Sequence, residues 1–193
     1  MKQTLKSKET KEKIFNAAKE IIQKNGYENL SIKNICEKAG VSNGSFYHHF
    51  KTKDDLLSFY IENQPSIDPE LLEIPKNKEE ATEAIVGVYL NYASYCKELG
   101  VEFMSGYYNP HNQALNPSIR TERAYPIVTV QKYLEKAVAA GNIKLKLEIP
   151  EVVYDIRMLV IGNVFDWALQ KGVSNFEKNF RRSLTYYLEG VFI

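Results

Sequence analysis

Two short helix patterns near the N-terminus are joined by the stretch A-G-V-S, and this short connection constrains the fold more than any other feature. Ser31 can cap the first pattern, and Gly40 ends it because glycine tolerates the left-handed conformation of a helix exit. Ser42 can cap the second pattern, which runs from Asn43 to His49. Two short helices joined by such a turn predict a helix-turn-helix unit.

The second of these helices has little apolar surface to bury. At 100° per residue, Phe46 and Phe50 share one stripe, while Gly44 and His48 lie roughly opposite it. The flanks are occupied by Asn43, Ser45, Tyr47 and His49. A helix exposed on most sides needs an explanation, and the groove of a nucleic-acid duplex is one.

Charge is divided unevenly along the chain, although the net charge of all 193 residues is only +1. Residues 1–53 hold eleven lysines and five glutamates, a net charge of +6, and the rest holds 14 basic and 19 acidic residues, a net charge of −5. A basic segment on an acidic body favours a polyanion as the partner at one end. A solvated lysine-rich face would give the same numbers, so both interpretations stay open.

Composition and patterning place the chain among ordinary globular proteins, with 44% hydrophobic and 25% charged residues. The lysine-rich N-terminus lacks the apolar stretch of a signal peptide, and no run of about 18 apolar residues predicts a membrane span. We therefore expect a cytoplasmic protein. Cys36 and Cys96 stand alone, which favours buried reduced thiols over a disulfide or zinc site.

The predicted fold class is all-α, because helical patterns fill nearly the whole chain. A first helix from Lys8 stops at Gly26, and Thr52 with Asp55 can start a fourth helix that ends before Pro65. Beyond a polar, proline-rich linker we expect a helix from Asn77 to Gly100, a short apolar-aromatic piece VEFMSGYY, a helix from about Ser118 to Ala140 bent at Pro126, and an unpaired extended connector IKLKLEI.

The last two predicted helices are apolar on more than one side. One begins at Pro150 and runs to about Lys171, and the other is started by a Ser174–Glu177 capping box. A helix that is apolar on two sides must bury both, so we expect a homodimer formed through helices of about 150–171 and 174–191. Two fully internal helices of a monomer are the alternative.

Catalytic and metal chemistry find little support in the sequence. His48 and His49 are adjacent on a helix, so their side chains diverge by about 100° and cannot chelate one ion, and His111 lies far away. There is no nucleophile motif and no glycine-rich phosphate loop, so we expect no cofactor and no enzyme. An enzyme and a protein-binding helix-turn-helix module remain as alternatives.

The segment IFNAAKEIIQKNGYENLSIKNICEKAGVSNGSFYHHFKTKDDLL resembles the TetR/AcrR family of transcriptional regulators. The resemblance implies an N-terminal three-helix helix-turn-helix DNA-binding domain, residues 1–53 with a connecting helix to about 64, and a larger C-terminal helical domain, 65–193, for ligand binding and dimerisation. The helix from Asn43 would be the recognition helix. Implied DNA contacts are Ser31, Ser42, Asn43, Gly44, Ser45, Tyr47, His48, His49, Lys51 and Lys53. Many relatives carry lysine or threonine where this chain has Asn43 and Ser45, so the operator sequence cannot be inferred from theirs.

The C-terminal part is rich in aromatic residues, which line pockets for organic ligands when joined by a few polar anchors. Arg157, Asn163 and Asp166 interrupt an apolar helix and must be paired, exposed or facing a cavity. Ion pairs across a dimer are the alternative role for Arg157 and Asp166. Candidate ligand contacts are Tyr89, Tyr92, Phe103, Tyr107, Tyr125, Arg157, Asn163, Asp166 and Trp167. The resemblance implies a repressor that binds a pseudo-palindromic double-stranded DNA operator and is released by a small organic effector.

Overall fold

The computed structural model describes residues 2–62, 73–109, 111 and 125–193. Within these ranges helices dominate, which confirms the all-α prediction. A 3₁₀ turn, Tyr27–Asn29, follows the first helix. The helices of the described ranges are α1 (Lys2–Asn25), α2 (Ile32–Ala39), α3 (Asn43–His49), α4 (Lys53–Glu62), α5 (Lys78–Leu99), α6 (Val101–Tyr107), α7 (Tyr125–Ala139), α8 (Ile149–Leu169) and α9 (Phe176–Val191).

The chain forms two compact units. Unit 1 contains Met1–Glu62 and Leu99–Arg120, and unit 2 contains Asn63–Glu98 and Thr121–Ile193. Unit 1 therefore holds α1 to α4 together with α6, and unit 2 holds α7 to α9 with nearly all of α5. Each unit buries its own set of apolar side chains.

The helix-turn-helix has the predicted boundaries because its caps are those expected from the sequence. The Ser31 hydroxyl accepts from the Asn34 amide N–H at 3.2 Å, and the Asn34 side chain accepts from the Ser31 N–H at 2.9 Å. Gly40 ends α2 with a φ of 65°, in the left-handed region that favours glycine. The Ser42 hydroxyl then accepts from the Ser45 N–H at 3.1 Å and starts α3.

The start of α4 is also the predicted capping box. The Asp55 N–H donates to the Thr52 hydroxyl at 3.0 Å, and the Thr52 N–H donates to the Asp55 carboxylate at 3.1 Å. Together these caps satisfy amides that would otherwise lack partners at each helix start. The orientation of α3 between α2 and α4 is therefore fixed by local hydrogen bonds as well as by its buried side chains.

Helix α6, sequence VEFMSGY, packs within unit 1 on α1, α4 and the 3₁₀ turn. Its Phe103 ring meets Phe15 of α1 edge to face, with ring centroids 5.8 Å apart. A Cβ atom added to Gly106 would lie 2.5 Å from Cδ2 of Tyr27, closer than real Cβ contacts. The approach of α6 to the 3₁₀ turn thus requires glycine at this position.

Unit 2 buries one face of α5 and the contact between α8 and α9. Trp167 of α8 stacks on Phe176 of α9, with centroids 4.9 Å apart and an interplanar angle of 13°. The side chains of α5 that share a face and are buried are Ala81, Ile85, Val88, Tyr89, Tyr92 and Cys96.

The predicted cap of the last helix is wrong by one residue. The side chain of Asn175 accepts from the Lys178 N–H at 3.1 Å, so α9 begins at Phe176 with Asn175 as its cap. Glu177, the expected partner in the capping box, instead forms an ion pair with Lys97 at 2.9 Å. Ser174 and Asn175 are both good capping residues, and the position of Phe176 in the core decides between them.

The connector IKLKLEI was expected to be unpaired, and this prediction is also wrong. Leu145 forms an antiparallel bridge with Phe192, just after α9, and the Lys146 N–H donates to the Val191 carbonyl at 2.9 Å. The partner segment is too short to show the alternation by which a strand is recognised in sequence.

Further predictions concern a proline, two cysteines and the membrane. Pro126 is the second residue of α7, where a missing N–H is tolerated, and the part of this helix predicted from Ser118 lies outside the described residues. Cys36 and Cys96 are buried free thiols, as expected. None of the described helices combines the length and the apolar character that a bilayer span requires.

Candidate nucleic-acid interface

Helix α3 is held by the two phenylalanines that the sequence pattern selected. Phe46 is 0% exposed and Phe50 is 4% exposed, and their ring centroids are 5.7 Å apart. Phe50 also meets Phe59 of α4 edge to face at 5.6 Å. These contacts anchor one side of α3 and leave the rest of the helix uncovered.

The uncovered side of α3 is polar and aromatic. Asn43, Gly44 and His48 are exposed, and Tyr47 keeps 57% of its surface exposed. Ser45, whose N–H is held by the Ser42 cap, is half-buried. Amide and hydroxyl groups of this kind can pair with base edges, and phenol and imidazole groups can pair with phosphates.

Three further residues implied as DNA contacts flank α3 on both sides. Ser31, at the start of α2, and Lys51, directly after α3, are exposed. Lys53 is half-buried, and its ammonium group donates to the Leu30 carbonyl at 3.1 Å and lies 4.4 Å above the Tyr27 ring. An ammonium group has three N–H donors, so Lys53 can still donate to a phosphate oxygen.

Tyr27, above whose ring Lys53 lies, and Asp54 were not among the site residues predicted from the sequence. The Tyr27 hydroxyl donates to the Asp54 carboxylate. Burial, followed by the hydrogen bond and the charge of Asp54, raises the pKa of Tyr27 above its ordinary value, so this hydroxyl keeps its proton. Gly26 and Tyr27 follow the first helix in the sequence, but the contact of Tyr27 with Asp54 depends on the fold.

His48 and His49 are neighbours in α3 that differ in exposure. Their ring centroids are 4.9 Å apart, and His48 is exposed whereas His49 is half-buried. Burial, followed by the charges of His48 and Lys11, lowers the pKa of His49 below its ordinary value. Among the described residues no group of three or more histidine, cysteine, aspartate or glutamate side chains could hold a metal ion.

The candidate ligand contacts are divided between the two units. Phe103 and Tyr107 are buried in unit 1, while Tyr89 and Tyr92 are buried in unit 2. The side chain of Tyr125 lies outside the described part of the chain. The structure therefore does not gather the whole predicted set within one unit.

Within unit 2, Tyr89 is a candidate whose buried hydroxyl lacks a hydrogen bond to the described residues. Its side chain is 2% exposed, and its hydroxyl has no hydrogen-bond partner among the described residues. Burial raises the pKa of Tyr89, and the charge of Arg157 opposes part of that shift. The guanidinium group of Arg157 lies 5.1 Å from the Tyr154 ring centroid.

The other α8 candidates have partners inside unit 2. Asn163 donates to the Leu159 carbonyl at 2.8 Å and to the Ser183 hydroxyl at 3.1 Å. Asp166 is exposed and accepts from the Gln170 side chain at 2.8 Å. The remaining candidate, the buried tryptophan of α8, belongs to the stacked core described above.

A second uncovered surface lies on α8 and is apolar. Tyr154, Met158, Phe165 and Leu169 are 53%, 36%, 48% and 67% exposed, and their spacing places them along one side of the helix. Tyr186 of α9 is 69% exposed. Exposed aromatic and aliphatic side chains in a row are typical of a surface that another protein covers.

Comparison with known proteins identifies the N-terminal region. Residues 14–58 match the family described as bacterial regulatory proteins, tetR family. The match to the tetR family therefore applies to this helix-turn-helix region, 45 of the 193 residues. The match covers α2 and α3 completely, the second half of α1 and the first six residues of α4, so the predicted family resemblance is confirmed for the helix-turn-helix.

Curated relatives match part of this chain. The HTH-type transcriptional regulator UidR of Escherichia coli is 42% identical over 52 residues, which is 27% of this chain and 26% of that protein. The fatty acid metabolism regulator protein of Bacillus subtilis is 34% identical over 82 residues, which is 42% of each chain. The chain thus spans a quarter to under half of the length of these relatives.

Solved structures with a similar fold match nearly the whole chain. The crystal structure of the transcriptional regulator FadR from Bacillus subtilis, in complex with stearoyl-CoA, matches with a TM-score of 0.62 at 19% identity and covers 91% of this chain and 96% of that chain. At this identity the likeness establishes the fold alone. The tetR-type helix-turn-helix is therefore part of a helical chain with the same fold as that regulator.

Proposed function

We propose that this protein is a ligand-responsive transcriptional regulator that acts in the cytoplasm as a repressor. A homodimer would bind a pseudo-palindromic double-stranded DNA operator and be released by a small organic effector. DNA binding is assigned to residues 1–53, with the connecting helix to about 64, and effector binding and dimerisation to 65–193. No enzymatic step and no cofactor enter this function.

The polar outer side of α3 is the observation that carries the proposal. A seven-residue helix with Phe46 and Phe50 as its anchors leaves Asn43, Tyr47 and His48 available to a partner. These side chains offer hydrogen bonds without an apolar patch, as expected for a helix that enters the major groove. The +6 charge of residues 1–53 would attract the phosphate backbone at the same end of the chain.

The apolar side of α8 supports a homodimer. Phe165 and Leu169 would be covered by a second copy, together with Tyr186 of α9. A symmetric dimer would present two recognition helices to half-sites about one helical turn, roughly 34–36 Å, apart. The same arrangement explains why the operator would be pseudo-palindromic.

The effector would bind in the helical domain, with Tyr89 and Arg157 as polar anchors among aromatic walls. The buried Tyr89 hydroxyl would gain the hydrogen bond that it lacks among the described residues. Because structurally similar FadR was crystallised with stearoyl-CoA, long-chain acyl-CoA is the first class of compound to test. A coupling free energy of about 1–3 kcal/mol would lower DNA affinity 5–150-fold.

DNA binding is tested by fluorescence anisotropy with labelled duplexes from the DNA beside the protein's own gene. Tyr47→Ala and Lys53→Ala should weaken binding while the dimer persists in size-exclusion chromatography, because neither residue lies on the apolar side of α8. Tyr47→Ala should lower the free energy of DNA binding by about 1–3 kcal/mol. Lys53→Ala should reduce the slope of log affinity against log salt by the contribution of about one phosphate contact. Unchanged binding by both variants would show that α3 does not face DNA.

A further inference from the structure

We propose that Lys11 of α1 pairs with His49 of α3 to bind one DNA phosphate, so that the DNA-binding surface extends onto the first helix. This inference rests on the proposed function, because it concerns the same duplex. It adds a contact from a helix whose early turns precede the segment matched by the family model, residues 14–58. No residue of α1 was among the contacts that the sequence resemblance implied.

The geometry places the two groups at one corner of unit 1. The Lys11 ammonium lies 4.4 Å above the ring of Phe59 in α4. The Phe59 ring meets Phe50 at 5.6 Å, and Phe50 lies 6.4 Å from the His49 ring, centroid to centroid. The N-terminal half of α1 and the C-terminal end of α3 therefore converge on the same pair of phenylalanine rings.

Electrostatics indicates what would bind at this corner. The charge of Lys11 contributes to the lowered pKa of His49, so the two groups are close enough to repel each other when both carry a proton. No carboxylate forms an ion pair with Lys11 among the residues that the structure describes. An anion between two such donors removes the repulsion and accepts a hydrogen bond from each, and a backbone phosphate offers the oxygens to do so.

The position also continues the surface already assigned to DNA. His49 directly precedes the anchoring Phe50, and exposed His48 and Lys51 lie on either side of that two-residue step. A duplex that receives α3 in its major groove brings a phosphate strand to each end of that helix. Lys11 would meet the strand at the C-terminal end of α3.

A structural role for Lys11, packing on the Phe59 ring, predicts different behaviour from a phosphate contact. Loss of packing would lower thermal stability and leave the salt dependence of DNA binding unchanged. Loss of a phosphate contact would reduce that salt dependence and weaken binding to any duplex sequence. The two roles are therefore separable with variants that fold normally.

The test uses the full-length protein and a labelled B-form duplex of arbitrary sequence, titrated at several salt concentrations. Lys11→Gln should reduce the slope of log affinity against log salt by about 0.9, the value for one phosphate on B-DNA, and Lys11→Arg should restore it. Lys24→Gln is the matched control, since exposed Lys24 lies 13 residues, about 20 Å, along the same helix.

An NMR titration of His49 gives a second measurement. Added duplex should raise the pKa of His49 in the wild-type protein, and by less in Lys11→Gln, where the phosphate is held less firmly. A wild-type salt slope in Lys11→Gln, or a His49 pKa that the duplex leaves unchanged, would overturn the inference. Failure of the wild-type protein to bind any duplex would instead overturn the proposed function, and the inference with it.

Discussion

Helices α3 and α8 both leave a broad side uncovered, but the chemistry of the two sides is opposite. α3 exposes groups such as Asn43 and His48 around a small apolar anchor, whereas α8 exposes Phe165 and Leu169 beside a fully buried core face. Exposed polar groups keep their hydrogen bonds to water until a polar partner replaces them. Exposed apolar groups gain free energy whenever a partner removes them from water.

The chemistry of an uncovered surface indicates which kind of partner can cover it. The polar side of α3 is suited to a charged, solvated partner that can exchange hydrogen bonds, which a DNA groove provides. The apolar side of α8 is suited to a second apolar surface, and a copy of the same helix provides one. Substitutions that change one side at a time can test both assignments.

The largest effect is expected within α3 itself, from two neighbouring residues with opposite exposure. Phe46→Ala should lower the free energy of unfolding by about 3–5 kcal/mol, because it empties a fully buried site. Tyr47→Ala, at an exposed position, should change it by less than about 0.5 kcal/mol. Urea denaturation followed by circular dichroism measures both, and equal losses would show that α3 is not anchored on one side only.

The second largest effect is expected on dimerisation, from a substitution on the apolar side of α8. Phe165→Glu should weaken dimerisation by about 2–3 kcal/mol or more, because two copies of a half-exposed ring lose their burial and a carboxylate must be desolvated. Analytical ultracentrifugation measures the dissociation constant. Ile74→Glu is the control, since Ile74 is 46% exposed and lies outside α8 and α9. A dimer that tolerates Phe165→Glu would place the interface elsewhere.

The third effect concerns two glycines, Gly106 in unit 1, which packs closely on Tyr27, and Gly87 in unit 2, which has open space around it. Gly106→Ala should destabilise the protein by about 1–3 kcal/mol through its clash with the Tyr27 ring. Gly87→Ala should stabilise it by about 0.5–1 kcal/mol, because Gly87 lies within α5 with nothing within 4 Å of an added Cβ. Thermal unfolding measures the two shifts, and the same sign for both would contradict this packing.

The smallest effect concerns the buried thiol of unit 2. Burial raises the pKa of Cys96 to about 12, above its usual value near 9. The unfolded chain therefore loses this proton first as pH rises, and the native state loses relative stability from about pH 9 upward, by about 1.4 kcal/mol per pH unit until the native thiol ionises. The free energy of unfolding measured from pH 8 to 10 should fall less steeply in Cys96→Ala than in the wild-type protein. Parallel slopes would show that Cys96 ionises equally in both states.

The sequence predicted those features that depend on neighbours in the chain. Caps at Ser31, Ser42 and Thr52, the exit at Gly40 and the two-residue anchor of α3 are all local, and the structure confirms them. The cap of α9 was misplaced because two adjacent residues could each serve, and only the burial of Phe176 decides which one does.

Features that join distant segments could not be predicted in this way. The hydrogen bond between Tyr27 and Asp54, and the close approach of Gly106 to Tyr27, bring together residues with no shared pattern. The bridge between Leu145 and Phe192 likewise depends on where two loops meet. The proposed role of Lys11 has the same origin, because its only signal in the sequence was a general excess of positive charge.

Helix α6 has a practical consequence for protein engineering, since unit 1 is assembled from two separate stretches of chain. A chimera that transplants only the residues up to Glu62 would carry the ring of Phe15 and the 3₁₀ turn without the helix that covers them. Under the proposed function, an exchange of DNA specificity with another protein of this fold should therefore transfer α6 as well, or rebuild in the recipient a helix whose glycine accommodates the donor's tyrosine.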